Sequence, residues 1–153
     1  EISECLVGSE MCIRDRHYNV YAESMAYGGY SLGGLAAIYS LYFDETFSTI
    51  FSVCGSFWYP GFADYVVNNN VKNRNAAVYL LNGEQEGVNH GNLLEQAPVK
   101  AHMVHEHLMS VMNAVSIFDE YGHHENKPER INRLLSVLAG MEGSYENGGK
   151  ETK

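Results

Sequence analysis

The chain has 153 residues, 45% hydrophobic and 12% aromatic, with 19 acidic against 10 basic side chains and a formal charge of −9. That length supports one domain with a real core, and that charge excludes a partner held through a phosphate backbone, which needs a basic stripe, so no nucleic acid is expected. No run approaches the ~18 consecutive apolar residues of a membrane span, which leaves no membrane partner expected either.

The first stretch, Glu1 to Arg16, has no periodicity and no cap, and it holds Cys5 and Cys12. Its end, GSEMCIRDR, looks like translated sequencing adapter, so residues 1–16 are expected to be non-native and are set aside from fold reasoning. With Cys54, the three cysteines show neither paired metal spacing nor a disulfide framework. No leader of basic then apolar residues is visible, and a reducing, cytoplasmic location without a metal is the expectation. His17 to Ser24 is a polar and aromatic connector.

Ala26 to Tyr30 then reads as a strand and Leu32 to Phe43 as a helix. Asp44 to Phe47 is a turn, and Ser48 to Cys54 is a β-branched and aromatic run, the pattern of a buried parallel strand. Gly55 to Phe62, GSFWYPGF, is an aromatic loop at the end of that strand, which can wall a pocket or cap the core. Phe62 to Val67 is a short helix and Asn68 to Asn75 a polar loop. Ala76 to Leu81 is a third buried strand, ending at Asn82 and Gly83. The loop Gly83 to Asn92 leads to a helix over Val99 to Met112 with Pro98 near its first position. Val115 to Phe118 is a fourth strand, Asp119 to Lys127 its loop, and Pro128 to Ala139 a last helix. Gly140 onward is Gly-rich and polar, a disordered tail. Strands and helices alternate four times, which implies a parallel α/β sheet with right-handed crossover helices over residues 17–139.

The junction of the first strand and helix reads Gly29, Tyr30, Ser31, Leu32, Gly33. This is the G-x-S-x-G pattern of a nucleophile elbow, in which a strained serine projects at the strand's end. The flanking glycines are expected to clear the close crossing of strand and helix. The amide of Leu32, in the first helical turn, would face a developing oxyanion. Further candidates fall at other strand ends: Glu84 and Glu86 after the third strand, His123 and His124 after the fourth. Serine, acid, histidine is the chain order of the triad in α/β hydrolases. The chemistry requires all three, since a serine hydroxyl is a weak nucleophile until an imidazole takes its proton and a carboxylate orients that imidazole. Glu86, three residues past Gly83, is favoured over Glu84, and His124, two residues past Gly122, over His123. His102, His105 and His107, on the third helix, are expected on the surface, since zinc would need a third ligand and a closed shell.

These motifs, GGYSLGGLAAIYSLY, VCGSFWYPGF, VYLLNGEQE and YGHHEN, resemble the esterase family of α/β hydrolases that contains enterochelin-type trilactone esterases, feruloyl esterases and S-formylglutathione hydrolases. The likeness covers about Asn19 to Leu138 and is nearest the enterochelin esterase-like branch. It departs from that branch at Cys54, where serine is usual, and at Glu125, where an aromatic is common. The resemblance implies a serine ester hydrolase with Ser31 as nucleophile, His124 as base, Glu86 as orienting acid and the Leu32 amide as one oxyanion donor, and with Tyr30 and Trp58 against the substrate. It implies a small-molecule ester substrate, siderophore-like lactones included, and neither metal nor organic cofactor. It also implies that the chain is the C-terminal part of the fold, about four parallel strands, with the N-terminal strands and a second oxyanion donor missing. Such a fragment would be weakly active and would expose its first strand as an edge prone to aggregation. The other functions compatible with these residues are a binding protein that keeps the fold without hydrolysis, and an acyltransferase.

Overall fold

The computed structural model describes residues 25–138. The segment expected to be non-native, the connector at 17–24 and the tail from 140 lie outside the described residues. Four strands, β1 (Ala26–Tyr30), β2 (Thr49–Val53), β3 (Ala77–Gly83) and β4 (Ala114–Asp119), form one sheet in the order β1-β2-β3-β4. Every neighbouring pair is parallel, with Gly28 opposite Phe51, Phe51 opposite Tyr79, and Tyr79 opposite Val115. The helices are α1 (Leu32–Ser40), α2 (Phe62–Asn68), α3 (Ala97–Val111) and α4 (Lys127–Leu138), with a 3₁₀ turn at Leu93–Gln96 ahead of α3. Strand order that advances in one direction, with right-handed crossovers, puts α1, α2 and α3 on the same face of the sheet.

That face holds the main core. Ile50, Val78 and Leu80 from the strands pack with Ala37 and Ile38 of α1, Val66 of α2, and Ala101, Val104 and Leu108 of α3, all buried. The period of two in the strands sends Tyr30, Val53, Leu81 and Ile117 to the opposite face, where Leu134 of α4 joins them. Below that cluster, among the described residues, Val115 of β4 is 41% exposed.

The expected elements are all present, and their ends shift for local reasons. The helix read through Phe43 stops at Ser40, because the amides of Leu41, Tyr42 and Phe43 bond three residues back, to Ile38, Tyr39 and Ser40. Asn82 and Gly83, read as the end of a strand, belong to β3 because the ladder with Phe118 and Asp119 continues through them. Pro98 sits at the start of α3 as expected.

Candidate active site

Parallel strands deliver their C-terminal ends to one rim, so four loops converge there. Ser31 caps α1 with φ 59° and ψ −119°, a backbone conformation that a residue with a Cβ rarely adopts. Neighbouring glycines permit it, though in a different way from that expected. A Cβ on Gly29 would lie 2.7 Å from the Gly33 carbonyl carbon, and one on Gly34 would lie 2.5 Å from Ser52 Oγ. A Cβ on Gly33 would meet open space. The close crossing therefore needs glycine at 29 and 34, while Gly33 supplies the backbone that Gly29 approaches. Ser31 donates its amide to the Val53 carbonyl at 3.0 Å, and its own carbonyl accepts from the Leu35 and Ser56 amides at 3.1 Å each. The strained residue is thus held from both sides. Leu32 opens α1, and an amide in the first helical turn has no carbonyl partner within its helix.

Ser31 Oγ lies 3.1 Å from His123 Nε2, and His123 Nδ1 lies 2.7 Å from Glu86 Oε2. Glu86 is 2% exposed, and its other oxygen, Oε1, accepts from the Gly83 amide at 2.7 Å and from Asn82 Nδ2 at 3.2 Å. A carboxylate accepting these bonds with one oxygen has the other left to fix the imidazole tautomer. The arrangement can move a proton from the serine to the imidazole while the buried carboxylate balances the cation.

The structure brings His123, and not the favoured His124, to the serine. His124 is exposed at the mouth of the site, its ring edge-on to His123 at 4.8 Å. The turn is closed by Glu125, whose Oε2 accepts from the Gly122 amide at 2.7 Å. Tyr30 hydroxyl donates to the His123 carbonyl, and its ring lies 5.2 Å from the imidazole. Anchored by its carbonyl, His123 turns its ring inward and its neighbour faces out. Tyr30, expected against the substrate, holds the His123 carbonyl and is not among the residues lining the cavity over Ser31. Burial raises its phenol pKa well above the ordinary value, so it stays a donor. Glu84 pairs instead with His102 Nε2 at 3.1 Å, away from the serine.

A cavity of about 560 Å³ opens over Ser31, with Ser56, Trp58, Val88, Leu94 and His124 among its walls. Trp58 therefore lines the cavity with Ser31. Several further residues have no signal in the sequence pattern. Ser56, 2% exposed, places Oγ 3.1 Å from Ser31 Oγ. His105, expected on the surface, is 1% exposed. Its Nε2 meets Asn82 Oδ1 at 3.0 Å, and its Nδ1 meets Ser116 Oγ at 2.8 Å. It thus braces the asparagine that holds Glu86. Arg130, buried in α4, donates to both carboxylate oxygens of Asp119, to the Gly122 carbonyl at 3.0 Å and to Cys54 Sγ at 2.9 Å. Burial works against its charge, but the bonds to Asp119 prevail and raise its pKa. Burial, and then the nearby Glu86 charge, push the Cys54 thiol up to about 12. Cys54 Sγ, Glu86 and His123 lie within 4.8 Å of one another. A cation there would meet a protonated thiol already facing a guanidinium, which is a poor metal donor set.

Burial, followed by the His102 charge, lowers the His105 pKa to about 3 from its ordinary 6.5. Between those values the unfolded chain binds a proton that the folded one refuses, so stability is full above pH 6.5 and falls as the solution is acidified toward pH 3. Thermal melts from pH 7 to pH 4 are expected to show a shallower acid decline for His105→Gln than for wild type. Parallel curves would show that His105 carries no such cost.

Four parallel strands with crossover helices, a strained serine after the first and a histidine after the last make this part of an α/β-hydrolase fold. Solved structures that superpose on it include the enterobactin esterase FES from Shigella flexneri, crystallised in the presence of enterobactin, with TM-score 0.62, 17% identity, and coverage of 88% of this chain and 35% of that one. The siderophore hydrolase EstA from Aspergillus nidulans gives 0.52 and 13%, over 77% of this chain and 48% of that one. An acylaminoacyl peptidase from Pyrococcus horikoshii gives 0.55 and 15%, over 97% and 28%. In sequence, the chain is 30% identical over 97 residues to the uncharacterized protein YbbA of Bacillus subtilis (strain 168), a match covering 61% of this chain and 39% of that protein. No family model matches the chain.

Proposed function

We propose that the protein is a serine carboxylic-ester hydrolase that works through an acyl-enzyme on small esters, siderophore-like lactones among them. The observation that carries this reading is the continuous chain from Glu86 through His123 to Ser31, with the serine in its strained turn. The names of two superposing structures, an enterobactin esterase and a siderophore hydrolase, support the substrate class.

In this mechanism Ser31 Oγ attacks the ester carbonyl carbon as its proton passes to His123 Nε2. Glu86 stabilises the imidazolium, and the Leu32 amide donates to the oxyanion. The tetrahedral adduct collapses, and the departing alkoxide takes the proton from His123. Water then attacks the acyl group, giving its proton to His123, and Ser31 recovers a proton as the carboxylic acid leaves. Trp58 offers an aromatic wall to one side of the substrate.

The test uses the protein expressed from its full reading frame. It is expected to hydrolyse p-nitrophenyl butyrate and to be labelled by a fluorophosphonate at Ser31, with both lost in Ser31→Ala. A wild-type protein that binds esters but takes no label at Ser31 would overturn the hydrolase reading in favour of a binding protein.

A further inference from the structure

Ser56 is the hydroxyl beside Ser31 that this mechanism leaves idle. Its amide donates to the Ser31 carbonyl at 3.1 Å and its carbonyl accepts from the Tyr59 amide at 3.0 Å, so its backbone is tied to the elbow. The preceding Gly55 admits no side chain, since a Cβ there would lie 2.4 Å from Ser52 Oγ and 2.5 Å from the Phe57 ring. Ser56 lines the cavity together with Ser31, and its Oγ lies 3.1 Å from Ser31 Oγ.

A proton count assigns the direction of that contact. Glu86, as a carboxylate, only accepts, so His123 Nδ1 carries the imidazole proton and Nε2 is an acceptor in the neutral ring. The single proton of Ser31 goes to Nε2 at 3.1 Å. A hydroxyl has one proton and two lone pairs, so Ser56 is the donor and Ser31 Oγ the acceptor.

Resting on the serine-hydrolase reading, we propose that Ser56 is a catalytic residue whose hydroxyl donates to the nucleophile oxygen and assists its release from the acyl-enzyme. In the free protein this bond already exists, so it assists attack little. Once Ser31 Oγ is an ester oxygen it is a weak acceptor. As water adds and the bond between the acyl carbon and Oγ breaks, the electron pair returns to Oγ while His123 delivers the proton taken from water. The Ser56 bond strengthens as that charge develops, and an interaction stronger in the transition state than before it accelerates the step. The bond costs no reorganisation, because Gly55 and the two backbone bonds hold the hydroxyl in place.

The experiment measures burst and steady-state phases of p-nitrophenyl butyrate hydrolysis, with the acyl-enzyme followed by intact-protein mass spectrometry. Ser56→Ala is expected to keep a full burst and to slow the steady state about tenfold to a hundredfold. Ser56→Cys, nearly isosteric with a weaker donor, is expected to shift in the same direction while circular dichroism reports an unchanged fold. Acyl-enzyme that turns over at the wild-type rate in Ser56→Ala overturns the proposal, and so does an equal loss of burst rate and steady-state rate. Either result requires that wild type takes the fluorophosphonate label at Ser31. Failure of that labelling overturns the underlying hydrolase reading instead, so the two failures are distinct.

Discussion

His123→Ala is expected to lower kcat/KM for p-nitrophenyl butyrate by roughly 10³-fold or more, while His124→Ala leaves it within about tenfold of wild type. The two residues are adjacent, carry the same side chain and sit on the same exposed turn, so composition cannot separate them. Geometry does, because His123 Nε2 reaches Ser31 Oγ and its Nδ1 reaches Glu86. His124 stands exposed on the cavity rim. A general base must lie within hydrogen-bond reach of the proton it takes, and such a base contributes about 10²- to 10⁴-fold. Steady-state kinetics on both variants, with thermal melts to show that each is folded, check the result. Equal losses in the two, or a larger one in His124→Ala, would show that the loop rearranges and presents the other ring.

Arg130→Met is expected to destabilise the fold by roughly 3 kcal/mol and to lower activity together with stability. Its guanidinium is 1% exposed and forks onto Asp119, the last residue of β4, so deletion strands a carboxylate that is mostly out of water. The same side chain holds the Gly122 carbonyl, one residue ahead of His123. Losing it therefore loosens the turn that aims the imidazole. Arg130→Lys is expected to rescue only part, because an ammonium cannot make the planar two-bond contact with a carboxylate. Urea denaturation checks the stability. In a double-mutant cycle, Arg130→Met combined with Asp119→Asn is expected to cost less than the two single changes summed, since the pair shares its penalty. Strict additivity would show that the two do not stabilise each other.

Much of the fold was legible because its signals are local. Ser48 to Cys54 and Ala76 to Leu81 are continuous apolar runs of strand length, and Pro98 and Pro128 open helices where a missing amide costs nothing. The elbow serine was legible for the same reason, as its glycines sit within three residues of it. His105 misled because a histidine on a polar-looking helix reads as solvated. Its partners, Asn82 and Ser116, come from two strands that only the parallel ladder brings under α3. Arg130 gave no signal, since a charge inside an amphipathic helix normally faces water.

By itself, then, the sequence determined the alternation of strand and helix, the strained turn at Ser31, and the order of serine, acid and histidine along the chain, because each rests on spacing within a few residues. Tertiary structure alone decided which histidine reaches the serine, which carboxylate reaches that histidine, and that Ser56 touches Ser31. Those contacts join residues 25 to 92 positions apart across the sheet rim. At such separations a difference of one residue reverses the direction of a side chain, and only the anchors Tyr30, Asn82 and Arg130 select which direction it takes.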